Sequence, residues 1–248
     1  MVWRTARRLD RALRGERLVA TDFRVPRLAT VDLAGALVSG TATRGKHLLT
    51  RLSREGRDWT LHTHLKMEGS WKVVDRGRRW PRPAHQARVV LTTAHRSAIG
   101  FQLGVVELLP RDAERDALAH LGPDLLGEDW DADEAVRRLA AHPDATVFDA
   151  LRDQTSLAGI GTIWAAETCF TAGVRPTRPI AEIPDLRRLV EVARRKLHKS
   201  IGAPAPGPMA VYGRARASCR RCGTPVASVP LGAEGRPRAA YFCPTCQR

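Results

Sequence analysis

Four cysteines near the C-terminus constrain this chain most. Cys219-x2-Cys222 and Cys243-x2-Cys246 are separated by 20 residues, 223–242. Two such turns present four thiolates tetrahedrally to one ion, at the spacing of a structural zinc site. The Arg220-Arg221 pair favours the thiolate form. Four sulfur ligands leave no open position for water, so the metal is structural. Such an ion supplies on the order of 10 kcal/mol to a module too small for a core of its own. One structural Zn2+ is therefore expected, held by Cys219, Cys222, Cys243 and Cys246. Cys169, beside Phe170 in an apolar stretch, reads as a small core residue.

The charge balance narrows the partner. Lys and Arg outnumber Asp and Glu by 41 to 26, a formal net charge of +15. A surplus of that size points to a polyanion, with nucleic acid first and an anionic membrane second. The start, MVWRTARRLD, has no apolar signal core. No apolar run approaches the roughly 18 residues of a membrane span. A cytoplasmic protein with no membrane partner is expected.

The hydrophobic pattern divides the chain. Val2 to Leu18 reads as an amphipathic helix, with Val2, Ala6, Leu9 and Leu13 near one face. Six short β-type segments follow: Ala36–Gly40, His47–Leu52, Trp59–His64, Ser70–Val74, Ala87–Thr92 and Ala98–Glu107. Turns such as Glu55-Gly56 and Arg76-Gly77 separate them, a pattern that implies a sandwich or barrel. From Asp112 the signals are helical: Asp112–Ala119, Asp131–His142, Thr146–Leu151, Ile163–Ala172 and Pro184–Ile201. Gly202–Pro208 is a linker by composition. The expected class is α+β, with an N-terminal helix plus β-sandwich over 1–111. An all-α domain over 112–207 and a zinc-ribbon finger over 208–248 follow.

Two stretches offer anion contacts. Asp153 to Trp164 reads as a turn leading into a helix, with Gly159 and Gly161 around Ile160 and Thr162 as a cap for a helix from Ile163. Backbone N–H groups at such a start suit a phosphate. In the finger, Arg236 and Arg238 lie in the hairpin between the cysteine pairs, and Arg214 and Arg216 precede it. An Arg on a metal-locked hairpin is placed for a phosphate.

Taken in order, these stretches resemble one family, the bacterial formamidopyrimidine-DNA glycosylases and endonuclease VIII enzymes, with the nearer likeness to the endonuclease VIII branch. Val2-Trp3-x-x-Ala6-x-x-Leu9 is similar to its first helix, and Arg44-Gly45-Lys46-His47-Leu48-Leu49 to its lysine-bearing β-turn. His64-Leu65-Lys66-Met67-Glu68-Gly69-Ser70-Trp71 resembles its His-Leu-x-Met-x-Gly loop. Leu121-Gly122-Pro123-Asp124 resembles the start of its helical domain. Leu157 to Pro176, with Glu167, is similar to its helix–two-turn–helix. Val211-Tyr212-Gly213-Arg214 and the four Cys resemble its zinc finger.

The resemblance implies base-excision repair by a bifunctional DNA glycosylase and abasic-site lyase, acting as a monomer on double-stranded DNA with damaged bases, oxidised pyrimidines in particular, or abasic sites. The damaged nucleotide is flipped out between the two domains. A Pro amine attacks the sugar, a Glu manages protons, and β,δ-elimination cuts the strand. Residue by residue, Lys46 matches the β-turn lysine of β-elimination and Arg238 the finger arginine of δ-elimination. Met67 matches the apolar wedge behind the flipped nucleotide. Lys66, His120, Gly161, Thr162 and Arg214 fall at DNA-contact positions. Thr162 stands where the family usually has Asn, His120 where some members have Arg, and Lys66 where some have Gln.

Members of the family begin Met-Pro-Glu. This chain begins Met1-Val2-Trp3, and the Pro and Glu have no counterpart. An amine about five residues late lies about 7 Å away if helical and about 17 Å if extended. Attack needs contact near 3 Å. The expectation is a start codon placed too late. The alternative is a protein that binds DNA or lesions without cutting. A zinc-ribbon scaffold of transcription or translation is the competing class, and it predicts no preference for damaged duplexes.

Overall fold

The computed structural model describes residues 2–248 apart from 204–206, 234 and 236. The linker expected at Gly202–Pro208 falls partly outside the described residues, and so does Arg236. The chain divides into two compact units, Met1–Ala119 and His120–Arg248.

The first unit opens on helix α1 (Val2–Leu13), which buries Ala6, Leu9, Ala12 and Leu13 and keeps Arg7, Arg8 and Arg11 in solvent. It stops short of the expected Leu18 because Gly15 takes φ +78°, a left-handed turn that ends helices. Leu18 then extends and exchanges backbone hydrogen bonds with Gly35 and Ala36. A strand not anticipated from the sequence, β1 (Ala20–Phe23), follows. Only Phe23 of its four residues is buried, so alternation gives it no signal.

The remaining strands are β2 (Leu37–Arg44), β3 (His47–Arg54), β4 (Arg57–His64), β5 (Ser70–Asp75), β6 (Ala87–Thr92), β7 (Arg96–Phe101) and β8 (Val105–Pro110). They form two four-stranded antiparallel sheets of order β1-β6-β7-β5 and β2-β3-β4-β8. The expected single segment Ala98–Glu107 is two strands in different sheets. Gln102 at φ +47° turns the chain out of β7, and Gly104 leads it into β8. The main core draws on α1, on Leu48, Leu52 and Leu61 from one sheet, and on Trp71, Val89, Leu91 and Ala98 from the other. The opposite face of the β1–β5 sheet carries a smaller cluster of Ala87, Val90, Ile99 and Phe101. Segment 112–119, expected at the head of the helical domain, falls within the first unit. Its short helix α2 (Glu114–Ala117) supplies Glu114, which accepts from Arg51 at 2.7 Å and from Thr60.

The second unit holds α3 (Ala132–Ala140), α4 (Val147–Arg152), α5 (Thr162–Ala172), α6 (Leu186–Gly202) and the hairpin β9 (Ala227–Leu231) and β10 (Arg238–Phe242). Asp131, Thr146 and Asp185 cap α3, α4 and α6, each accepting a first-turn N–H. Its core joins helix and finger: Ala165, Ala166, Cys169 and Leu189 pack in one cluster with Val211, Val226, Ala240 and Cys243. The hairpin is thus built onto the helices. None of the described helices is long and apolar enough to cross a membrane.

Candidate nucleic-acid interface and metal centre

In the first unit the candidate residues gather at one end of the β2–β8 sheet. Arg44 pairs with His47 across the β2–β3 turn, where Gly45 at φ +57° and Lys46 form the tip. His47 pairs in turn with His64, the last residue of β4. Lys46 and Lys66 both lie close enough to act on His64. Burial first, then these two positive charges, hold the His64 imidazole down to about 4. His64 is therefore neutral at pH 7. Its Nδ1 accepts the Lys66 amide at 2.9 Å, so its ring proton resides on Nε2.

The loop after β4 is forced into shape by its glycine. Lys66 adopts φ +51°, and the Gly69 amide bonds back to the Leu65 carbonyl at 2.9 Å. A Cβ on Gly69 would collide with that carbonyl, so only glycine closes this turn. The closure leaves Met67 at the tip, 77% exposed. A large apolar side chain held out in water is a poor core residue and a good wedge.

One group of residues here escaped the reading of the sequence. His47 Nδ1 and His62 Nε2 lie 2.7 Å apart, and His62 Nδ1 lies 2.9 Å from Glu107 Oε2. The rings of His47 and His64 stand edge to face at 4.8 Å. With Glu107 ionised, the Nδ1 of His62 donates to it, and a neutral His62 then accepts from His47 through Nε2. The signal lay in strand alternation, since His47, His62, His64 and Glu107 share one face of three adjacent strands.

In the second unit, α5 begins without a side-chain cap. The N-cap is Gly161 at φ −134°, ψ −175°, and Thr162 is the first helical residue, not the cap expected for it. With no Cβ at the cap, the first-turn N–H groups are approachable by an anion. Gln154 fastens the turn that leads there: its amide group donates to the carbonyls of Arg152 and Ile160 and accepts the Gly159 N–H at 3.1 Å. Gly122 packs against the Ser156 backbone at the same turn, too closely for a Cβ. His120 is exposed at the start of this unit.

Glu167, 3% exposed, accepts the backbone N–H groups of Ala210, Val211 and Tyr212. It fixes the segment before the finger to α5. Arg214 donates to the carbonyls of Ala210 and Ser218, so its guanidinium braces that same segment. Arg238 begins β10 and is exposed. It stands near Arg152, whose pKa burial lowers, the Asp149 carboxylate 2.9 Å away raises, and the Arg238 charge lowers.

The four expected cysteines converge, with all sulfurs within 4.8 Å of one another and Cys222 and Cys243 3.5 Å apart. Sulfurs about 2.3 Å from one ion in a tetrahedron sit about 3.8 Å apart, so this set can hold a metal ion. Hydrogen bonds from Thr224 hold the Cys222 thiol at about 6. Cys169 is buried, and burial pushes its thiol up to about 12.

Comparison with known proteins agrees with this arrangement. Residues 2–102 match the formamidopyrimidine-DNA glycosylase N-terminal domain. The chain is 48% identical to the probable endonuclease 8 2 of Streptomyces coelicolor, over 99% of this chain and 92% of that protein. It is 43% identical to the DNA-(apurinic or apyrimidinic site) lyase Nei2 of Mycolicibacterium smegmatis, over 99% and 96%. The fold matches the Lactococcus lactis formamidopyrimidine-DNA glycosylase, crystallised with DNA containing an abasic site. The TM-score is 0.86 at 22% identity, covering 100% of this chain and 98% of that one.

Proposed function

The chain belongs to the formamidopyrimidine-DNA glycosylase and endonuclease VIII family, and we propose that it acts in base-excision repair as a DNA glycosylase with abasic-site lyase activity. The observation that carries this reading is Met67, an exposed apolar side chain on a glycine-closed loop beside two lysines. Such a loop suits a protein that unstacks a base pair and grips the neighbouring phosphates.

In this reading Met67 fills the gap left by the flipped nucleotide, and Lys46 holds a phosphate and serves β-elimination. Neutral His64 donates a hydrogen bond through Nε2 without adding charge. Arg238 serves δ-elimination, and the N–H groups after Gly161, together with Thr162, bind a phosphate. Lys66 and His120 add backbone contacts. Arg214 acts through the segment it braces. The metal held by the four cysteines is zinc, and its task is to fix the hairpin carrying Arg238. Oxidised pyrimidines are the preferred lesions.

Borohydride trapping on an abasic duplex tests the lyase chemistry, because a covalent product requires a Schiff base between a protein amine and the sugar. With the protein purified from its native source, a trapped adduct and β,δ-elimination ends on a thymine-glycol duplex are expected. No adduct, with tighter binding to abasic than to intact duplex, identifies a lesion-binding protein that leaves the strand whole. Equal affinity for both duplexes overturns the repair reading.

A further inference from the structure

The connection from β5 to β6 has no part in the site described above, yet it concentrates charge. From Arg76 to Val106 the chain has six arginines and no acidic residue. Residues 76–86 cross one face of the β1–β5 sheet, because β5 and β6 run in the same direction on either side of β7. The crossing spans strands of six residues, about 20 Å at ~3.4 Å per residue.

This strap is firmly anchored. Trp80 packs against the cluster of Ala87, Val90, Ile99 and Phe101, its ring edge-on to Phe101 at 6.2 Å. Arg24 stacks on Trp80 at 5.2 Å and donates to the Ala84 carbonyl. Arg82 lies over Phe101 and donates to Ser70 Oγ at 3.2 Å, next to the loop that carries Met67. Pro81 and Pro83 remove further backbone freedom. Arg76, Arg78 and Arg79 are exposed and form no ion pair among the described residues. The Arg76 amide bonds to the His95 carbonyl, which brings exposed Arg96 alongside; Asp75 faces Arg96 across the β5–β7 pair, and Asp22 is held by Arg24 at 2.7 Å.

We propose that this strap is a second nucleic-acid contact, in which Arg76, Arg78, Arg79 and Arg96 bind the phosphate backbone of duplex DNA outside the lesion. The proposal rests on the repair reading for its choice of duplex DNA. Its physical basis is pre-organisation. Cations on a stiff, aromatic-pinned segment lose little freedom on binding, and with no ion pair among the described residues they have none there to break. Arg76, Arg78 and Arg79 span three residue steps, about 10 Å at ~3.4 Å per residue, with Arg96 beside Arg76, so the cluster matches about three phosphates spaced ~3.4 Å apart along one strand.

The double variant Arg78→Ala/Arg79→Ala tests it, with binding measured over a salt series. The duplexes carry an abasic site and span about one helical turn (~10 base pairs) or about three (~30). On the long duplex the slope of log affinity against log salt should fall by about 2, at roughly 0.9 per phosphate lost. On the short duplex, affinity and slope should stay as in the wild type, and melting should be unchanged because both side chains are exposed. An unchanged slope on the long duplex overturns the proposal, as does an equal loss on both lengths or a loss confined to single-stranded RNA. Failure of the repair reading shows separately, as wild-type protein that does not distinguish abasic from intact duplex while the strap effect persists on long intact DNA.

Discussion

The carboxylate of Glu167, inside α5, accepts the amide of Val211 at 2.9 Å, tying helix and finger together through one buried charge. The adjacent amides of Ala210 and Tyr212 complete the arrangement at 3.1 Å each, and Lys196 Nζ stands 3.8 Å away. Three N–H donors on one carboxylate satisfy backbone groups that a loop would otherwise leave dry. Glu167→Gln should cost about 2–4 kcal/mol, since an amide group would set a donor against donors. Chemical denaturation measures it, and a midpoint equal to the wild type would remove Glu167 from this role.

Lys46 and Arg238 are the two cations assigned to strand cleavage, and in that role each meets a phosphate. Replacing either with Ala should weaken duplex binding and lower the salt slope by about 1. Fluorescence anisotropy across a salt series reads both quantities. A variant with unchanged slope and reduced affinity would point to a change of shape rather than a lost phosphate contact.

Metal removal should act locally. The finger residues Cys219, Val226, Ala240 and Cys243 pack into the helical core, but Cys222 is exposed, and a metal held by the four cysteines would carry its turn. After chelation, amide hydrogen exchange should accelerate across 214–248 and stay slow in α5 and α6. Retained protection at 219–223 would show that packing alone maintains the finger.

The His64 imidazole makes stability depend on pH. Burial, then Lys66 and Lys46, lowers its pKa from 6.5 to about 4. Between these values the unfolded chain binds a proton that the folded chain does not. Stability should therefore fall as pH drops from about 6.5 towards 4, with no His64 contribution above that window. Discounted for partial exposure, the loss is about 1–2 kcal/mol. His64→Asn should flatten this part of the curve in thermal melts from pH 4 to 7. A curve with the wild-type slope would place the titration on another group.

The sequence alone determined what depends on local spacing. The four cysteines bring their own geometry, and they meet as their spacing requires. The helix of Leu9 and Leu13 and most strands follow from periodicity, because each element buries one face whatever its partner. The loop of Met67 was legible only through its resemblance to the family's His-Leu-x-Met-x-Gly motif, and the clash that demands Gly69, within five residues of chain, gives that motif its physical reason. Tertiary structure decided what depends on pairing between distant segments. The chain of His47, His62 and Glu107 exists because three strands align in one register, and a one-residue slip would send those side chains to the other face. Whether Arg214 faces a ligand or braces its own segment, and whether the arginines after Asp75 are paired or open, likewise depends on groups far away in sequence. Local pattern fixes which residues an element exposes or buries; only the packed fold fixes what each of them meets.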